Sequence, residues 1–278
     1  MILLDGKDVS AGYNAPVITD VDIQIHSGSV HGIIGPNGAG KSTLLRVLAG
    51  LLHTTSGAVF SGEEDIDGMS PKTRARHIAY MPQSNDVRVD FSVQAIVQMG
   101  RYAHLSRFSR LNAADHAAVT AALKRVGVDH LAARSITELS GGQRQLVFLA
   151  KQLAQEAGVV LLDEPVSALD VGYQLDVLSL LKELAAEGHA VVVVLHDLGL
   201  ALRYCDRVTI LARGRVVDSG SPTLVITPSL LRDVYGVQAT VNLDGDIPSV
   251  TVLRRADVTR ASVPQPAAQA IVRQHRTK

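Results

Sequence analysis

The 278 residues carry 27 basic and 27 acidic side chains, with hydrophobic residues at 46% and charged ones at 19%. That composition supports one large core, or a core plus a subdomain, and lacks the positive excess expected of a dedicated nucleic-acid binder. Cys205 is the only cysteine, which excludes an intrachain disulfide framework and a thiolate zinc cluster and suits a reducing compartment. Met1 to Lys7 has no basic start leading into a long apolar stretch, and no window reaches the roughly 18 to 20 apolar residues of a membrane-spanning helix.

In chain order, the first clear element is Val30 to Ile34, an apolar run without alternation, as in a strand covered on both faces of a parallel sheet. Gly35-Pro36-Asn37-Gly38-Ala39-Gly40-Lys41-Ser42 follows, matching G-x-x-x-x-G-K-[ST]. A helix then begins near Lys41, with Leu44, Val47, Leu48 and Leu51 at helical spacing. Glycines let successive backbone N–H groups face phosphate oxygens, and the helix N-terminus adds partial positive charge. Lys41 is expected to reach the β- and γ-phosphates and Ser42 to hold Mg²⁺, so the loop from Gly35 to Thr43 is expected to bind Mg-ATP. A chance match in a chain of this length is roughly a one-in-a-hundred event, before the flanking strand and helix are demanded.

Residues 84–158 show helical periodicity, as at Val119, Ala122, Leu123 and Val126 with Gly127 as a stop, and no strand-like run. They are expected to form a helical subdomain inserted into the core. Within them, Leu139-Ser140-Gly141-Gly142-Gln143 precedes a helix marked by Leu146, Leu149, Ala150 and Leu153. This is a second glycine-rich helix start suited to an anion, though taken alone it is an ordinary N-cap at Ser140.

Val159 to Leu162 is an apolar strand ending in Asp163 and Glu164. Beside a phosphate loop, the first carboxylate can hold Mg²⁺ through water and the second can polarise an attacking water. Val177, Leu180, Leu181 and Leu184 mark the next helix, which Gly188 stops, and Ala190 to Leu195 is a third buried strand ending at His196. Strands alternating with helices predict an α/β core with ligands at the carboxyl ends of the strands. Val208 to Ala212 and Arg215 to Asp218 flank Arg213-Gly214 as a β-hairpin. From Arg254 the basic, proline- and alanine-containing segment reads as a poorly ordered tail.

Taken together, these motifs resemble the nucleotide-binding subunit of the ATP-binding cassette (ABC) transporter family, whose signature is LSGGQ between the phosphate loop and the Val159 strand. The resemblance runs from about Leu3 to Val237. It implies a P-loop NTPase (RecA-like) α/β core over 1–83 and 159–237, with N-terminal antiparallel β elements, the helical subdomain 84–158, and a C-terminal extension over 238–278. Tyr13 is similar to the aromatic residue that stacks on adenine, Gln83 to the Q-loop glutamine that reaches the metal and the reacting water, Asp170 to the D-loop aspartate, and His196 to the switch histidine. A tyrosine face can stack on a base, and a histidine at that strand end can bond the γ-phosphate. His26, His31, His53, His77, His104 and His189 have no such support and are read as structural.

The family arrangement further implies a head-to-tail homodimer in which Ser140, Gly141, Gly142 and Gln143 of one chain cover the ATP held by the other. Two integral membrane subunits and, indirectly, a substrate-binding protein would be the partners, with the chain peripheral on the cytoplasmic face of the membrane. Met99 to Leu105, Val171-Gly172-Tyr173-Gln174 and Leu195-His196-Asp197-Leu198 resemble importers of iron-siderophores, haem and cobalamin. Ala103 stands where proline is frequent in those relatives, and Val166 where threonine is usual. Manganese or zinc importers are the alternative substrate class. A soluble cassette ATPase acting on DNA or ribosomes fits less well, because neither a second cassette nor a coiled-coil insert is present, and a P-loop kinase conflicts with the signature.

Overall fold

The computed structural model describes residues 1–83, 90–106, 109–245 and 247–256. The chain opens on a long hairpin, β1 (Ile2–Gly12) and β2 (Pro16–His26). In β2, Ile18, Val21, Ile23 and Ile25 are buried while the residues between them face outward. Next come β3 (Ser29–Ile34), helix α1 (Lys41–Leu48), β4 (Ser56–Ser61), the short β5 (Glu64–Asp65), α2 (Pro71–His77) and β6 (Ile78–Met81). Helix α1 is shorter than its apolar spacing suggests: it stops at Leu48, and Leu51 lies beyond it, 60% exposed. Gly50, at φ 64, supplies the left-handed residue that ends the turn.

Helices follow in the middle of the chain. They are α3 (Val93–Gln98), a 3-10 turn over Met99–Ala103, α4 (Ala113–Arg125) and α5 (Gly141–Ala154). Ser92, Asn112 and Ser140 cap their N-termini by accepting backbone N–H bonds. Among the described residues of 84–158 there is no strand longer than a single bridge, Ser92 with Ser135. Then come β7 (Val159–Leu162), α6 (Val171–Ala186), β8 (Ala190–Val194), α7 (Leu198–Tyr204), and the hairpin β9 (Arg207–Ala212) and β10 (Arg215–Gly220). The last elements are α8 (Pro222–Val225), α9 (Pro228–Tyr235), β11 (Val237–Asn242) and β12 (Ser249–Arg255).

The strands assemble into a six-stranded sheet in the order β10-β9-β3-β8-β7-β6, a four-stranded antiparallel sheet β2-β1-β4-β5, and the pair β11-β12. All neighbours in the large sheet are parallel except β10 and β9. The three runs expected as buried parallel strands lie side by side as β3, β8 and β7. The sheet is covered on both faces, which is why those runs show no alternation of apolar and polar residues. Val160, Leu162, Val191 and Val193 pack into the core shared with α3 to α7, and Val159, Leu161, Val192 and Val194 into the core shared with α1 and the small sheet.

The C-terminal region departs from expectation. Arg254 and Arg255 are part of β12, opposite Gln238 and Val237, and Arg254 Nε donates to Gln238 Oε1 at 2.8 Å. Cross-strand pairing thus orders the start of the segment read as a tail; residues 257–278 lie outside the described residues.

Candidate nucleotide site

The phosphate loop is shaped by three glycines in the left-handed half of φ space: Gly35 at 153°, Gly38 at 78° and Gly40 at 103°. A Cβ on Gly35 would stand 2.1 Å from the carbonyl oxygen of Leu211 on β9. The loop is therefore pressed against the sheet, and any side chain at Gly35 would push it away. Lys41 is buried, and its Nζ donates to the carbonyls of Gly35 at 2.8 Å and Pro36 at 3.1 Å. Burial pulls the lysine below its usual range, against the opposing pull of Glu164 and Asp163.

At the end of β7, Asp163 is 1% exposed and accepts from Ser42 Oγ at 3.2 Å. Burial pushes its carboxyl above the usual carboxylate range, and the neighbouring Glu164 adds to that shift, while the Ser42 bond opposes it. Glu164 adopts a positive φ of 53°, sparsely populated for a residue with a side chain. Its main-chain oxygen accepts from Gln145 Nε2 at 2.9 Å and Ser167 Oγ at 3.0 Å, and these bonds hold the turn. Its Oε1 lies 2.5 Å from Nε2 of His196, beyond the end of β8.

Asn37 to Thr43, Gln83, Glu164 and His196 line one cleft of ≈ 560 Å³, together with Val17. Seven phosphate-loop residues and three residues from distant strand ends thus meet in one place. Ser140, Gly141, Gly142, Gln143 and Asp170 line a different cleft of ≈ 390 Å³, with Ala168, Leu169 and Tyr173. Within one chain the signature and the phosphate loop do not meet. Ser140 and Gln143 form a capping box: Ser140 Oγ accepts from Gln143 N at 3.2 Å, and Gln143 Oε1 accepts from Ser140 N at 3.1 Å. Gln143 thus shapes the helix end, and the backbone N–H groups of the glycines are the first-turn donors that the helix leaves unbonded.

Tyr13 sits in the turn between β1 and β2, 60% exposed, with its hydroxyl accepting from Arg46 Nη1 at 2.5 Å. Sequence reasoning missed Arg46 and Gln145, whose contacts to Tyr13 and Glu164 are non-local and carry no motif. The histidines read as structural include buried His31, whose Nε2 lies 2.8 Å from Thr209 Oγ1, and His104 and His189, each within 2.9 Å of a main-chain oxygen.

Mg²⁺ can be tested against these donors. Ser42 and Asp163 offer a hydroxyl and a buried carboxylate that already touch, and Gln83 brings a carboxamide to the same cleft. This oxygen-only set suits a hard cation that keeps several waters. A carboxylate pushed up by burial also gains most from an added positive charge.

Residues 18–167 match the family model described as ABC transporter. The chain is 44% identical over 247 residues to the cobalamin import ATP-binding protein of Halobacterium salinarum, covering 88% of this chain and 62% of that one. It is 40% identical over 240 residues to the ferric enterobactin transport ATP-binding protein of Escherichia coli, covering 86% and 89%. Among solved structures, a metal-chelate type ABC transporter in an inward-facing conformation superposes with a TM-score of 0.80 at 28% identity, covering 91% of this chain and 98% of that one. A dimeric ATP-binding cassette bound to ADP and phosphate superposes with a TM-score of 0.71 at 26% identity, covering 79% and 98%. With a phosphate loop, a signature helix and a P-loop NTPase α/β fold that agree with these matches, the chain belongs to the ABC transporter family, as one of its ATP-binding cassettes.

Proposed function

We propose that the chain hydrolyses Mg-ATP as the nucleotide-binding subunit of an importer for a metal chelate, with iron-siderophores first and haem or cobalamin next. The observation that carries hydrolysis is the 2.5 Å contact between Glu164 Oε1 and His196 Nε2 in the same cleft as the phosphate loop. The relatives' names support the chelate class, and their lengths matter: this chain spans 62% of the cobalamin proteins but 89% of the enterobactin one.

The backbone N–H groups of the loop receive the phosphates, and Lys41 exchanges its bonds to Gly35 and Pro36 for the β- and γ-phosphate oxygens. Ser42, Asp163 and Gln83 would hold Mg²⁺, which neutralises charge on those oxygens when bound. Glu164, as a carboxylate, accepts a proton from the attacking water, and His196, donating from Nε2, fixes the orientation of Oε1. Ser140 to Gln143 and Asp170, which line their own cleft, are proposed to cover the nucleotide on a second copy of the chain. The dimeric cassette that this chain resembles supports that reading.

No helix among the described residues is long and apolar enough to cross a membrane. Two integral membrane subunits would carry the substrate, aided by a binding protein, with this chain at the cytoplasmic face; the transport names of its relatives support that reading. Glu164→Gln is expected to keep ATP affinity and lose turnover; near-normal phosphate release from that variant would remove the general-base role. In the reconstituted complex a ferric chelate should stimulate hydrolysis, and stimulation by a bare metal ion alone would reassign the substrate.

A further inference from the structure

An exposed tyrosine is a poor platform for a base if its ring is free to swing. Tyr13 is 60% exposed and stands in a three-residue turn, yet its hydroxyl is not free: Arg46 Nη1 donates to it at 2.5 Å. Arg46 is itself exposed and sits on α1, one helical turn past Ser42. The Arg46 guanidinium thus joins the first turn of the chain to the helix that follows the phosphate loop.

We propose that Arg46 is the positioning residue of the purine platform: by holding the Tyr13 hydroxyl at the ring's edge, it leaves the ring face open for the base of the bound nucleotide. The inference rests on the reading of Tyr13 as the base-stacking residue. Binding then spares most of the cost of ordering an exposed aromatic side chain. The Arg46 charge has a second possible consequence, a direct pull on the phosphates, and the two act on different ligands. A latch on Tyr13 affects only ligands that carry a base, whereas a field effect acts equally on a bare triphosphate chain.

The test measures Mg-ATP and inorganic tripolyphosphate binding to the full chain by calorimetry, together with the steady-state constants. Arg46→Gln is expected to weaken ATP binding about three- to tenfold, with the effect falling on KM more than kcat, and to leave tripolyphosphate binding unchanged. Tyr13→Phe keeps the ring and removes only the hydroxyl, so it should reproduce that loss. The double variant should be no worse than either single change. Arg46→Lys, with one donor point in place of a fork, should recover part of the affinity. Equal weakening of ATP and tripolyphosphate by Arg46→Gln, additive losses in the double variant, or wild-type affinity in Tyr13→Phe would each overturn the latch. Tyr13→Ala separates the two readings: if it binds ATP as well as the wild type, base stacking itself fails, and if it binds weakly while Tyr13→Phe does not, only the latch fails.

Discussion

At the scale of single residues, the titratable groups in the two cores respond to pH in opposite ways. Burial, aided by Arg207 and His26, pulls His31 from 6.5 down to about 3. Between those values the unfolded chain takes up a proton that the folded chain refuses, so stability falls as the pH drops from 6.5 toward 3. The loss is on the order of 4 kcal/mol, and NMR of the imidazole should find His31 neutral at pH 5. Asp163 has the opposite sign. Its folded value is raised by burial, so the folded chain keeps a proton that the unfolded chain has lost, and stability falls as pH rises through that window. Asp163→Asn should therefore melt a few degrees higher than the wild type without nucleotide at neutral pH, and should lose the extra stabilisation that Mg-ATP gives the wild type. Scanning calorimetry checks both. A stabilised variant that has lost its ligand response is the pattern expected where a site is built at the expense of stability.

At the scale of elements, the segment from Met99 to Ala103 illustrates how a family marker acquires a physical role. Arg101 is buried; its Nε donates to Asp115 Oδ1 at 3.0 Å, and its Nη1 donates to the Ala154 oxygen at 2.8 Å and to Glu156 Oε2 at 2.6 Å. One side chain therefore ties the 3-10 turn to α4 and to the end of α5. Hydrogen bonds from the Asn112 backbone and from Arg101 hold the Asp115 carboxyl below its usual range. Replacing Arg101 with Leu strands Asp115 in the core, and the expected result is a drop of several degrees in the thermal midpoint with earlier amide exchange in α4. Gly100 is part of the same packing, since a Cβ there would come within 2.4 Å of the Lys151 oxygen. At the other end of α5, Ser140→Ala removes the capping box and should cost about 1 kcal/mol in denaturant unfolding.

At the scale of the whole molecule, the phosphate-loop cleft and the signature cleft share no lining residue. Each presents N–H donors at a helix start. If a second copy closes both, Mg-ATP should convert Glu164→Gln from monomer to dimer in analytical ultracentrifugation, and ADP should not. Contacts to a γ-phosphate made only in such a closed form would supply the differential affinity that the switch requires. A Glu164→Gln chain that stays monomeric at saturating ATP would separate nucleotide binding from dimer closure.

Much of this was legible in the sequence, because the responsible patterns are local. The phosphate loop needs glycines at fixed spacing before a helix, and the buried strands need unbroken apolar runs, so Gly35 to Ser42, β3, β7 and β8 were readable from neighbouring residues alone. Ser140 and its glycines were readable in the same way. Tertiary structure decided whatever depends on contacts between distant segments. It set the length of α1, which the spacing of Leu51 overstated, and it added β6 and the β11-β12 pair, whose short strands are defined by their partners. It brought Glu164 within 2.5 Å of His196 and Arg46 within 2.5 Å of Tyr13. Those pairs are 32 and 33 residues apart in the chain, and no local periodicity encodes a contact that exists only after the sheet has folded.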